Sequence, residues 1–197
     1  MTTRETIRQD ADPTPWWKLA AQRWPSVAGL AVAYLTVNGA EGADLAPLVA
    51  LLAVGYVVAE ATRRPWTVWI VVAALFVVMP VTQRLGPEHV SLVRTLTVGV
   101  VLTTLAVCGL VLILRGRDQE ISIQTVGVVL FGAIAVVSFL VPSTTAVVLL
   151  GVGLIGHGLW DIWHLIRAKV VPREFAEFCA VLDIPAGLAH IWIAGPW

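Results

Sequence analysis

Apolar residues in this chain come in long runs, separated about every twenty positions by short clusters of charged residues, proline and glycine. The runs cover 25–39, 45–61, 66–81, 91–114, 121–141, 144–166 and 171–194. About 20 apolar residues cross the hydrocarbon core of a bilayer as an α-helix. A surface helix of a soluble protein instead carries an apolar stripe and a polar face. The pattern predicts an all-α, polytopic membrane protein, a bundle of seven transmembrane helices. Residues 1–24 are polar, contain Asp10, Asp12, Pro13 and Pro15, and lack the apolar core of a signal peptide. They are expected to form a cytoplasmic tail with an interfacial segment, and residues 25–197 the transmembrane domain.

Composition strengthens this picture. Hydrophobic residues make up 58% of the chain and charged residues 13%, against about half and about a quarter in ordinary soluble domains. The net charge is zero and no basic run exceeds two residues, which argues against nucleic acid as a partner. Where the charges fall sets an orientation. With the N-terminus inside, Arg4, Arg8, Lys18, Arg23, Arg63, Arg64, Arg115, Arg117, Arg167, Lys169 and Arg173 are cytoplasmic, and only Arg84 and Arg94 lie outside. Eleven against two is the expected bias for N-in, C-out. Trp16, Trp17, Trp24, Trp66, Trp160 and Trp163 then fall near the inner interface and Trp192 and Trp197 near the outer one, where indoles concentrate. Lysine is scarce beside arginine, and Ala, Val and Gly abound, a composition of high-GC bacterial genomes; the expected location is the bacterial plasma membrane. Cys108 and Cys179 lie in apolar runs and are expected to pack as free thiols.

Ionisable residues inside the apolar runs are the candidate chemistry, because they are costly there and mark function. In GHGLWDIWH, residues 156–164, His157, Asp161 and His164 are spaced i, i+4, i+7 and share one helical face. At about 1.5 Å per residue, His157 lies deepest of the three and His164 close to the interface. The last run carries Asp183, with Cys179 one turn before it and Glu177 nearer the start. Pro185 lacks an N–H, so the carbonyl of Val181 is left without its helical partner one turn from that carboxyl. The second run ends YVVAEATRR, with Tyr56 and Glu60 one turn apart. Trp69, Trp160 and Trp163 are deep enough to line a pocket. Glu177 has Arg173 at i−4 and is expected to pair with it.

Three functions fit these residues. An acid-initiated cyclisation of a prenyl chain needs a neutral carboxylic acid, a water-free apolar site and aromatic faces for the cation. In layout over the whole chain the sequence resembles the small integral-membrane terpene cyclases of fungal meroterpenoid and bacterial indole-sesquiterpenoid pathways. That resemblance implies about seven spans, no metal or other cofactor, a hydrophobic prenylated substrate, and two acids: Glu60 in YVVAEATRR and Asp183 in FCAVLDIPAG. A second possibility is a zinc-dependent membrane hydrolase using His157, Asp161 and His164. The N-in, C-out orientation is similar to that of the progestin and adiponectin receptor family, whose paired histidines lie in the last helix. His157 and His164 are about 10 Å apart along the helix axis, so helix seven would have to complete the ligand set. The third is a proton-linked carrier or a membrane scaffold. A retinal photoreceptor is disfavoured, because Lys18 and Lys169 are the only lysines and neither is deep in a run.

Overall fold

The computed structural model describes residues 15–39, 45–84, 90–116 and 119–195, and they are helical nearly throughout. Residues 1–14 of the expected tail, Arg117, and the outer-belt Trp197 lie outside the described residues. Eight α-helices follow one another: α1 (Trp16–Gln22), α2 (Trp24–Gly39), α3 (Leu45–Thr62), α4 (Val68–Arg84), α5 (Val90–Arg115), α6 (Gln119–Ser138), α7 (Ser143–Arg167) and α8 (Arg173–Ala194). Five of them, α3 and α5 to α8, are long and apolar enough to cross a membrane. At 16 and 17 residues, α2 and α4 are shorter. Each of the seven apolar runs is thus a helix, and α1 is a helix of about two turns ahead of them, exposed at Trp16, Trp17 and Lys18.

Several boundaries differ from the expected ones for local reasons. The third run opens as a short 3-10 turn at Pro65–Thr67, after Arg63 takes a left-handed conformation. The seventh run begins its helix at Arg173, with Pro172 as the N-cap and Glu174 the acid of the first turn. Ala168 and Val170 are left-handed, so the chain reverses tightly between α7 and α8.

That reversal lays α8 antiparallel on α7, the most extensive helix pair in the bundle. Without water to drive apolar helices together, close backbone approach through small residues supplies the packing. A Cβ on Gly187 would lie 2.5 Å from the Gly151 carbonyl oxygen, so α7 and α8 touch backbone to backbone. A Cβ on Gly29 would lie 2.6 Å from the Phe178 carbonyl oxygen, which brings α2 equally close to α8. Across the other side of α7, α6 runs antiparallel and α3 packs on both. The core where these helices meet holds Leu45, Val49, Tyr56, Leu150, Leu154, Phe175 and Cys179, all buried.

The described basic residues other than those of α4 and the start of α5 collect at one end. Arg167 donates to Glu120 at 2.8 Å, with Lys169 3.4 Å from the same oxygen. Arg23 lies 3.6 Å from Glu177, and the Ser26 hydroxyl donates to that carboxylate. The pairing of Glu177 with Arg173 expected from their spacing is therefore replaced by a link to α2, because the Gly29 contact draws α2 against that face. Arg94, at the start of α5, stands over the Phe139 ring near the opposite end.

Candidate functional site

His157, Asp161 and His164 all face the interior from α7, as their spacing predicts, and all are buried. What meets them is decided by the neighbouring helices. The antiparallel seat of α8 places Asp183 opposite His157, and the imidazole Nδ1–H donates to Asp183 Oδ2 at 2.8 Å. Asp161 Oδ2 lies 3.0 Å from the same nitrogen. Asp161 Oδ1 accepts from the Tyr56 hydroxyl of α3. Three helices thus contribute to one polar knot in which His157, Asp161 and Asp183 are essentially inaccessible to solvent.

Hydrogen-bond accounting shows the knot to be incomplete. One Nδ1 hydrogen faces two carboxyl oxygens, and it bonds only one of them. Asp161 Oδ2, Asp183 Oδ1 and His157 Nε2 are buried without a hydrogen-bond partner among the described residues. Buried polar atoms are nearly always satisfied, so three such atoms within one cluster need an explanation.

His164 belongs to a separate arrangement. Its Nδ1 lies 3.0 Å from the Trp160 carbonyl oxygen and must carry the hydrogen. Its Nε2 is then an acceptor, and the Gln124 amide donates to it at 3.1 Å. Both ring nitrogens are engaged, and the histidine that the zinc reading paired with His157 and Asp161 is not in the converging set. Asp183 takes that place: donor atoms of His157, Asp161 and Asp183 lie within 4.8 Å of one another.

The expected aromatic wall is also redistributed. The rings against His157 are Phe131, at 5.0 Å between centroids, and Tyr56, at 5.8 Å. Trp160 packs on Phe131 and His164, with its edge against Gly127. Trp163 is partly exposed under the Arg167 guanidinium. Trp69 packs on Phe175, Phe178 and Trp24. Cys179, one turn before Asp183, is a buried free thiol, as is Cys108. Glu60 is part-buried one turn beyond Tyr56 toward the basic end, and it does not join the converging carboxyls. Tyr56, not Glu60, is the α3 residue that reaches the site.

Sequence reasoning missed Gln124, Phe131 and Phe175. Gln124 carried a usable signal, an amide one turn after Glu120 in an apolar helix. The phenylalanines carried none, since lipid-facing and site-facing phenylalanines look alike in a sequence.

Tyr56→Phe tests the knot. It removes the one donor to Asp161 Oδ1 and leaves a buried carboxyl oxygen bare, which costs about 1–3 kcal/mol. The expected result is a lower thermal midpoint in detergent with unchanged helical content. An unchanged midpoint would mean that the hydroxyl does not hold Asp161.

No protein-family model, curated protein or solved structure matches the chain. Fold and site together define a class: an all-helical protein with apolar helices of membrane-crossing length and a buried His–Asp–Asp cluster at its centre.

Proposed function

We propose that this protein is an integral-membrane terpene cyclase, an enzyme that starts ring closure of a prenyl chain by protonating it. In this reading all seven apolar helices cross a bacterial plasma membrane, α2 and α4 included, with the basic end in the cytoplasm. Asp183 is the acid. The observation that carries the proposal is the meeting of two buried carboxyls on one imidazole nitrogen.

An isolated charge in a low-dielectric interior is strongly disfavoured. Two carboxyls and one imidazole are neutral together when the imidazole is protonated, one carboxyl is ionised and the other keeps its proton. Such a cluster holds a carboxylic acid ready at neutral pH, as sites with paired carboxyls do. Asp183 Oδ1, which has no partner among the described residues, is the oxygen free to meet a substrate atom.

The reaction balances without a cofactor. The acid proton passes to a terminal alkene or epoxide carbon or oxygen, and the resulting cation is attacked by the next double bond along the chain. The final cation loses a proton to the carboxylate left behind, which regenerates the acid. The substrate is isomerised. His157, held by both carboxyls, stabilises the transient carboxylate, and the Tyr56 and Phe131 rings beside it offer π faces to the cation.

The test is turnover of a prenylated aromatic compound and its epoxide in detergent micelles prepared in D₂O. On the alkene substrate, proton initiation places one solvent deuteron on the first protonated carbon of the cyclic product; on the epoxide the deuteron goes to oxygen and exchanges, so there cyclisation alone is read. A cyclic product of the alkene that contains no carbon-bound deuterium after a single turnover by protein equilibrated in D₂O overturns it, as does the absence of any cyclic product from substrates of several chain lengths.

A further inference from the structure

We infer that His157, Asp161 and Asp183 are also the ligand set of a divalent first-row transition cation, and that the bound ion shuts off the acid. The inhibitory half rests on the cyclase reading; the site itself does not.

The geometry is that of a coordination shell closed by hydrogen bonding. His157 Nδ1 is 2.8 Å from Asp183 Oδ2 and 3.0 Å from Asp161 Oδ2. Ligands at about 2.0–2.2 Å from a tetrahedral ion lie roughly 3.3–3.6 Å from one another. These two pairs therefore have to open by only about half an ångström, a rotamer-scale adjustment, and the two carboxylate oxygens lie within 4.8 Å of one another. An ion at that centre takes the place of the Nδ1 hydrogen, and it gives the unpartnered Asp161 Oδ2 a partner.

Charge and donor type agree. Two carboxylates and a neutral imidazole around a divalent ion sum to zero, the second way in which this buried cluster can be neutral. One nitrogen and two oxygens suit zinc, iron or manganese rather than a thiolate-seeking ion. Cys179, although on the same face of α8, is not in the converging set. The Tyr56 hydroxyl bonded to Asp161 Oδ1 supplies the outer-shell contact that ligating carboxylates need.

Binding and inhibition are separable. With the ion in place both carboxyls are ionised ligands and none can donate a proton. Full-length protein is produced in zinc-supplemented medium, purified in detergent, and assayed for metal before and after dialysis against a chelator. The expected content is about one zinc per chain. His157→Phe, Asp161→Asn and Asp183→Asn each lose it, and His190→Ala, a buried histidine outside the cluster, keeps it. Tyr56→Phe leaves all three ligands in place and weakens zinc binding by about 10–100-fold, which keeps the test decisive if a ligand variant misfolds. Zinc-free wild-type protein, or stoichiometric zinc in all three ligand variants, overturns the site. Zinc bound at the cluster in a protein that still cyclises its substrate at the full rate leaves the site standing and removes Asp183 as the acid. Zinc-free protein that cyclises normally does the reverse.

Discussion

On the proposed cyclase chemistry, Asp183→Asn is expected to lower turnover by about 10²–10⁴-fold, the usual worth of a positioned general acid, while the protein keeps its fold. The separation of the two effects follows from the geometry. Asparagine has the shape of aspartic acid, and its amide oxygen can accept from His157 Nδ1 as Asp183 Oδ2 does at 2.8 Å. The cluster loses no volume, and α7 and α8 keep their contact. What disappears is the transferable proton, since an amide does not give one up to an alkene. Asp183→Leu is the contrasting variant. It removes the acceptor bonded to His157 Nδ1, which keeps only Asp161 Oδ2 at 3.0 Å, and losing a buried hydrogen bond costs about 1–3 kcal/mol. Turnover and thermal unfolding measured side by side distinguish the two. A folded Asp183→Asn protein with wild-type kcat would move the chemistry away from α8. Glu60→Gln changes turnover far less, because Glu60 stands outside the cluster.

Gly187→Leu has the largest expected effect on the fold itself. Any Cβ at position 187 meets the Gly151 carbonyl oxygen at 2.5 Å, Ile155 Cγ1 at 2.9 Å and the Ile155 nitrogen at 3.1 Å. Two of these three are backbone atoms and cannot rotate aside, so the helices must move apart. Overpacking of a well-filled interior costs about 1–3 kcal/mol, and a full leucine side chain sets the upper end. The consequence reaches the site, because Asp183 sits one turn from Gly187 on the same helix. Separating α7 from α8 stretches the His157–Asp183 hydrogen bond and disperses the cluster. Gly187→Leu is thus expected to lower both the unfolding midpoint in detergent and turnover. Gly99→Ala is its control: nothing lies within 4 Å of a Cβ there, and replacing a mid-helix glycine favours the helix by about 1 kcal/mol. A Gly187→Leu protein as stable as the Gly99→Ala protein would show that the close approach of α7 and α8 is not what holds them.

Much of this molecule was legible in the sequence because it depends on properties local to one segment. Length and apolar content within each run determined a helix there, five of them long and apolar enough to cross a membrane, where a backbone must satisfy its own hydrogen bonds. The i, i+4, i+7 spacing determined that His157, Asp161 and His164 share the inward face of α7, and the isolation of Asp183 among apolar neighbours singled out a carboxyl that the structure buries in the same cluster. The tertiary structure alone decided which of these residues act together. His164 and His157 are equivalent in spacing, but Gln124 of α6 engages one and Asp183 of α8 the other. Glu60 and Tyr56 are one turn apart on α3, and the rotation of that helix against α7 turns the hydroxyl, not the carboxyl, toward Asp161. Glu177 answers to α2 instead of its own i−4 neighbour because Gly29 lets α2 in. Each outcome turns on the rotation and depth at which two helices seat against one another. That seating is fixed by contacts such as Gly151 on Gly187, between residues far apart in sequence and chemically unremarked within their own segments.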